Sequence, residues 1–197
     1  GLGNLRVTVG ERLGLPGERI IRATAGEMAQ RRFARLNVLL AEAAPCLPRR
    51  TPGLPDDAFL RDRIPMTKQE VRAAALAKLA VTSRDLCWDI GAGTGSVSVE
   101  LAMQGRAVWA VEKNPEALEL ARKNRELFCA WNLRLIPGEA PAVLEALPKP
   151  DAVFLGGSGG RMEEILEAVH RADPQARICV SAIALETLQR ASETLIR

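Results

Sequence analysis

One run of residues has chemical meaning in its types and spacing: Asp89-Ile90-Gly91-Ala92-Gly93-Thr94-Gly95. It follows an apolar stretch over 86–90 and opens a helical pattern over 95–103. Glycines let a backbone turn sharply and approach a ligand without a Cβ in the way. In open α/β sheets, ligands bind beyond the carboxyl ends of the strands. A pyrophosphate loop has the spacing G-x-G-x-x-G and turns a helix N-terminus toward an anion. Here the spacing is G-x-G-x-G, and Asp89 precedes it, a charge that repels pyrophosphate and suits an ammonium. Glu112 lies 17 residues beyond Gly95, at the end of the next strand pattern. Its two oxygens suit the two hydroxyls of a ribose. Gly138-Glu139-Ala140 follows a third strand pattern and offers a carboxylate to an adenine amine. Taken singly, Glu112 reads equally as a surface charge and Gly138 as a turn. In series on successive strand ends, they favour S-adenosylmethionine over NAD. The expected cofactor set is Asp89, Gly91, Ala92, Gly93, Thr94, Gly95, Glu112, Gly138, Glu139 and Ala140.

The elements that must position these residues alternate along the chain. Helix patterns cover 70–79, 95–103, 139–147, 161–171 and 185–196, and a further one starts at Asn114-Pro115, an N-cap with proline at the first helical position. Strand patterns cover 86–90, 107–111, 133–136, 152–155 and 177–183. The helix from Pro115 carries Leu118, Ala121 and Phe128 on one face, and that over 161–171 carries Met162, Ile165, Leu166 and Val169. Such alternation implies an α/β fold with a doubly wound, mainly parallel sheet covered on both faces. Trp88 and Trp109 fall inside strands and read as core. Residues 45–55 hold four prolines and a glycine, which excludes a regular element and marks a boundary. Upstream, strands over 5–9 and 36–40 flank a helix over 24–35, which opens on a Thr24/Glu27 capping box. Those elements are too few to bury a good core alone.

Composition narrows the function classes. The chain has 197 residues, ordinary globular proportions, and no apolar run long enough to span a bilayer. The net charge of +3 is uneven: residues 1–50 hold nine arginines against four glutamates, and the remainder is slightly acidic. That balance disfavours nucleic acid as a partner. Cys46, Cys87, Cys129 and Cys179 are far apart and His170 is the single histidine, so no metal site is expected. The cysteines in apolar segments read as core, and a reducing cytoplasm fits. His170, in mid-helix, reads as a surface residue. No catalytic side chain stands out.

Two further runs specify a family. Gly53-Leu54-Pro55-Asp56-Asp57-Ala58-Phe59 leads to Ile64-Pro65-Met66-Thr67-Lys68-Gln69-Glu70-Val71-Arg72. Gly156-Gly157-Ser158-Gly159-Gly160 and Ala182-Ile183-Ala184-Leu185-Glu186-Thr187 come later. With the glycine turn, these resemble the CbiT-type decarboxylating precorrin methyltransferases, which also form the C-terminal half of fused CobL-type enzymes. The resemblance runs over 53–197. It implies a class I, Rossmann-like methyltransferase using S-adenosylmethionine. The implied reaction, in cobalamin biosynthesis, methylates carbon 15 of a precorrin and decarboxylates an acetate on ring C. The class normally closes with two more strands, which are expected to be lacking here because the chain stops at Arg197. The family is often a homo-oligomer. Val9-Gly10-Glu11-Arg12-Leu13-Gly14, Glu18-Arg19-Ile20 and Leu36-Asn37-Val38 look like the end of a CbiE-type tetrapyrrole methylase domain. The expected organisation is therefore 1–44, the C-terminal remnant of that domain; 45–55, a linker; and 56–197, the CbiT-like domain.

By the same resemblance Thr67 joins the cofactor set, although Thr67 with Glu70 also reads as a capping box. Gly156, Gly157, Ser158 and Gly159 follow the fourth strand, where substrate meets the methyl group; a merely flexible loop is the other reading. A precorrin carries many carboxylates, so Arg61, Arg63, Lys68 and Arg72 are candidate docking cations. Asp56, Asp57, Asp62 and Glu70 balance them, and a solvated face fits each equally. The competing functions are a Rossmann oxidoreductase, a class I methyltransferase acting on RNA or protein, and a non-catalytic cofactor-binding fragment.

Overall fold

The computed structural model describes residues 2–42, 52–182 and 189. The chain forms two compact units, Gly1–Leu47 and Pro48–Arg197. In the first, β1 (Arg6–Glu11), β2 (Arg19–Thr24) and β3 (Asn37–Glu42) make an antiparallel sheet in the order β2-β1-β3. A single helical turn, α1 (Ala25–Met28), begins at the expected Thr24/Glu27 capping box. The helix expected over 24–35 stops there. Buried Glu11 accepts hydrogen bonds from the Ala34 amide and the Arg19 side chain, drawing the chain back to the sheet instead. The strand β2 was not expected. Its signal was present in the β-branched Ile20, Ile21 and Thr24 after the Gly14 and Gly17 turn. Val7, Val9 and Met28 form its small core.

The second unit is a five-stranded parallel sheet: β4 (Leu86–Ile90), β5 (Ala107–Glu112), β6 (Leu133–Pro137), β7 (Ala152–Leu155) and β8 (Arg177–Val180). Its order, β6-β5-β4-β7-β8, reverses direction at β4. Among the described residues four helices cover it: α2 (Gln69–Leu79), α3 (Ser96–Gln104), α4 (Pro115–Leu127) and α5 (Met162–Ala172). Side chains alternate across a strand, so β4 serves both faces. Cys87 packs with Leu76, Val97, Leu101 and Phe128, and Trp88 with Leu144, Ile165, Leu166 and Val169. Trp88 is fully buried and donates Nε1–H to the Pro148 carbonyl at 3.0 Å. Burial pushes the Cys87 thiol up to about 12, so it stays a small core group.

Two helical expectations need correction. The segment 139–147 forms only turns and a 3-10 turn, Leu144–Ala146. Pro141 and Pro148 disfavour the α conformation at the residues before them, and the six residues between are too few to propagate a helix. The buried stripe of α4 is Ala117, Ala121 and Asn124, running on to Phe128, with Leu118 at its margin. Asn114 caps this helix through the amides of Glu116 and Ala117, as expected. The expected helix over 185–196, the end of the fifth strand pattern at 183, and most of the proposed linker lie outside the described residues.

Candidate cofactor and substrate site

A cavity of about 460 Å³ opens at the carboxyl ends of the parallel strands. Its walls are residues 64–68, 90–94, 111–114, 138–140 and 156–159, with Val71, Ser96, Ala117, Ile165 and Ser181. It sits where strand order reverses, between β4 and β7, which is where ligands enter such sheets. The glycines explain how two loops share that point. Gly91 has φ +74°, and a Cβ on it would lie 2.7–2.8 Å from backbone atoms of Gly157. The turn after β4 and the loop after β7 therefore touch backbone to backbone, leaving the space above them free.

Glu112 is placed at the end of β5, as the spacing demands. One carboxylate oxygen accepts the Gly93 amide at 2.8 Å; the other accepts the amides of Lys113 and Asn114, both at 2.9 Å. Its first task is thus to hold the glycine turn in shape. The oxygen that bonds Gly93 retains acceptor capacity toward the cavity.

Asp89 and Gly95 stand behind the wall rather than in it. Asp89 is 1% exposed, and one oxygen accepts from the Ser98 hydroxyl. The other oxygen has no hydrogen-bond partner, and neither does the hydroxyl oxygen of buried Thr94. Burial, with the nearby Glu112 charge, outweighs the Ser98 bond and pushes the Asp89 carboxyl up to about 7. Gly95 has φ +76°, and a Cβ there would lie 2.9 Å from that of Ala121. Its role is to let the turn approach α4. Asn124, which sequence reasoning missed, completes the support. It exchanges two bonds of 2.8 Å with the Leu60 backbone and donates to the Thr94 carbonyl at 2.9 Å. A polar residue on an otherwise apolar helix stripe was its signal.

Thr67 lines the cavity, but it is not a helix cap. The N-cap of α2 is Lys68, with no side-chain bond. Arg72 corrects both sequence readings, since it faces neither cavity nor solvent. It is fully buried, with Nε on Glu100 Oε1, Nη1 on Asp56 and the Thr67 carbonyl, and Nη2 on the Leu54 carbonyl. Glu100, also buried, accepts the amides of Gly53 and Leu54 at 2.6 and 3.0 Å. This network pins the segment that ends in the cavity wall at 64–68. Arg61 and Arg63 are exposed and outside the wall; Lys68 lines it, 3.5 Å from Asp56.

Gly138, Glu139, Ala140, Gly156, Gly157, Ser158 and Gly159 all line the cavity. Glu139 lies between two cations, Lys113 Nζ at 2.8 Å and Arg161 Nη2 at 3.0 Å, whose bonds and charges hold its carboxyl below the ordinary range. Polar atoms left without partners under a glycine cradle, and a carboxylate at the end of each neighbouring strand, suit a nucleoside with a charged amino-acid tail.

Sheet order, glycine turn and strand-end carboxylates together define the Rossmann-like fold of class I methyltransferases. A family model described as a precorrin methyltransferase domain matches residues 57–196. A cobalt-precorrin-6B C(15)-methyltransferase (decarboxylating) from Salmonella typhi is 43% identical over 145 residues, covering 72% of this chain and 74% of the relative. The crystal structure of a precorrin-6Y C5,15-methyltransferase from Geobacter metallireducens superposes with a TM-score of 0.70 at 43% identity, covering 73% and 78%. The C-terminal domain of the corresponding Rhodobacter capsulatus enzyme gives 0.70 at 34%, covering 77% and 81%. The chain belongs to the precorrin methyltransferase family, whose members transfer a methyl group from a donor. Among the described residues, no helix is long and apolar enough to cross a membrane.

Proposed function

We propose that the chain methylates carbon 15 of precorrin-6B and releases the ring C acetate carboxyl as carbon dioxide, with S-adenosylmethionine as methyl donor. The observation that carries this reading is the backbone contact of Gly91 with Gly157, which builds one cavity from a cofactor turn and a substrate loop. A sulfonium donor supplies an electrophilic methyl carbon, so the protein's contribution is position and water exclusion. Glu112 and the 91–95 turn hold the nucleoside end, and buried Asp89 supplies negative charge beneath the amino-acid end. Thr67 lines the wall, and Gly138 with Ala140 borders the base, the Glu139 carboxylate being turned to Lys113 and Arg161. The Gly156–Gly159 backbone, bare of side chains except at Ser158, lets a flat macrocycle lie close. Loss of carbon dioxide needs an electron sink, and the conjugated macrocycle is one. No nucleophilic side chain is required.

The first unit, with its own sheet and small core, is read as the end of a CbiE-type domain joined to this one through 45–55. The names of the relatives support the reaction, and that of the Rhodobacter enzyme supports the fusion.

The test is calorimetric titration with S-adenosylhomocysteine, with NADH as control, followed by carbon dioxide release from precorrin-6B in cobalt-free and cobalt-containing forms. Product binding with turnover of either macrocycle is the expected result. NADH binding in place of the product would overturn the cofactor reading. Product binding without carbon dioxide release would overturn the substrate reading.

A further inference from the structure

Three strand-end loops meet on a small charged cluster at the cavity rim. Lys113 follows Glu112 at the end of β5, Glu139 follows β6, and Arg161 ends the glycine run before α5. Lys113 Nζ bonds one oxygen of Glu139 at 2.8 Å, and Arg161 Nη2 lies 3.0 Å from the other. The same Nη2 donates to the Ala140 carbonyl at 2.6 Å. Gly159 lies against the cluster: a Cβ there would be 3.7 Å from both Glu139 Oε1 and Lys113 Nζ. Two cations share one carboxylate, so the cluster carries net positive charge.

We infer that Lys113 and Arg161 dock the non-reacting carboxylates of the macrocycle, and that Glu139 occupies them until substrate displaces it. This rests on the precorrin reading above. Such a substrate carries several carboxylates, whereas Arg72, one of the cations the sequence offered for them, is spent inside the fold. Lys113 and Glu139 line the cavity and are about half exposed, and Arg161 is 33% exposed. Ion pairs this exposed are weak, so an incoming carboxylate can displace Glu139. Among the described residues Arg161 bonds through Nη2 alone, leaving Nη1 and Nε for a forked, charge-assisted bond of the stronger kind. The carboxylate that leaves as carbon dioxide is not the one docked. A cation on it would stabilise the ground state more than the transition state.

The experiment compares K113A, R161A and E139Q with the wild type in steady-state carbon dioxide release, with S-adenosylhomocysteine titration in parallel. R161A should raise KM for the macrocycle about tenfold, the scale of a forked charge-assisted bond, and K113A about threefold, that of a single exposed ion pair. Their kcat and product affinity should be held. E139Q should lower KM, because it removes the negative charge that competes for both cations; a merely structural clasp predicts the opposite sign. Unmoved KM in both cation variants, a raised KM in E139Q, or product affinity that falls as KM rises in the cation variants would each overturn the assignment. A wild type that neither binds product nor turns over would sink the parent reading and this one with it. Wild-type turnover with unmoved variants sinks the docking assignment alone.

Discussion

Glu112 is the residue whose expected and observed tasks differ most usefully. Spacing placed it at a strand end as a ribose acceptor. In the fold it also accepts the amides of Gly93, Lys113 and Asn114 and so shapes the turn it neighbours. Replacing Glu112 with Ala should therefore weaken S-adenosylhomocysteine binding by about 1–3 kcal/mol, through lost charged hydrogen bonds and a loosened turn. Calorimetry measures it, and unchanged affinity would remove Glu112 from the site. Such bonds run between residues adjacent in sequence or one strand away, which is why the spacing was legible. The absence of Asp89 and Gly95 from the wall was not legible. It depends on which way a fully buried carboxyl turns and on how close α4 approaches.

At the scale of elements, the segment at 53–67 has no regular structure of its own apart from the 3-10 turn Asp56–Ala58, and it depends on α2 and α3. Arg72 of α2 and Glu100 of α3 bind its carbonyls and amides in a buried network, and the Arg72 guanidinium lies 4.8 Å over the Phe59 ring. Removing Arg72 takes the buried cation from Glu100 and leaves the Leu54 and Thr67 carbonyls without their donor. Arg72→Met should lower stability by about 3–5 kcal/mol, read from urea unfolding. Adding Glu100→Leu to this variant should cost less than Glu100→Leu alone, because the Arg72 bond is already lost; equal costs would mean that the two act separately. The helix and strand patterns that carry this network were readable because periodicity is local. Its partners stand 28 and 46 residues apart in sequence, and nothing local announces such pairs.

At the scale of the molecule, one buried acid ties stability to pH. The folded Asp89 carboxyl titrates at about 7, against an ordinary value near 4. Between these values the folded chain keeps a proton that the unfolded chain has released. Stability should fall as pH rises through that window and level off above it. Asp89→Asn should flatten the profile and, at pH 8, stabilise the ligand-free protein by at most about 4 kcal/mol. Thermal unfolding at pH 4 and 8 checks it, and parallel profiles for both proteins would refute the role. A ligand ammonium favours the ionised form, so S-adenosylhomocysteine affinity should rise with pH through about 7 in the wild type and not in the variant.

The sequence by itself determined the alternation of strands and helices, the glycines that permit the sharp turn, and the order of acids along successive strand ends. Each follows from backbone geometry and side-chain periodicity within a few residues. Tertiary structure alone decided that Arg72 is walled in, that Asn124 braces the turn from a helix stripe, and that Glu139 sits between Lys113 and Arg161. A charged side chain is several bonds long and takes its partner from whatever the fold brings near. The same residue type can face solvent, core or ligand, and only the packing of distant segments selects among them.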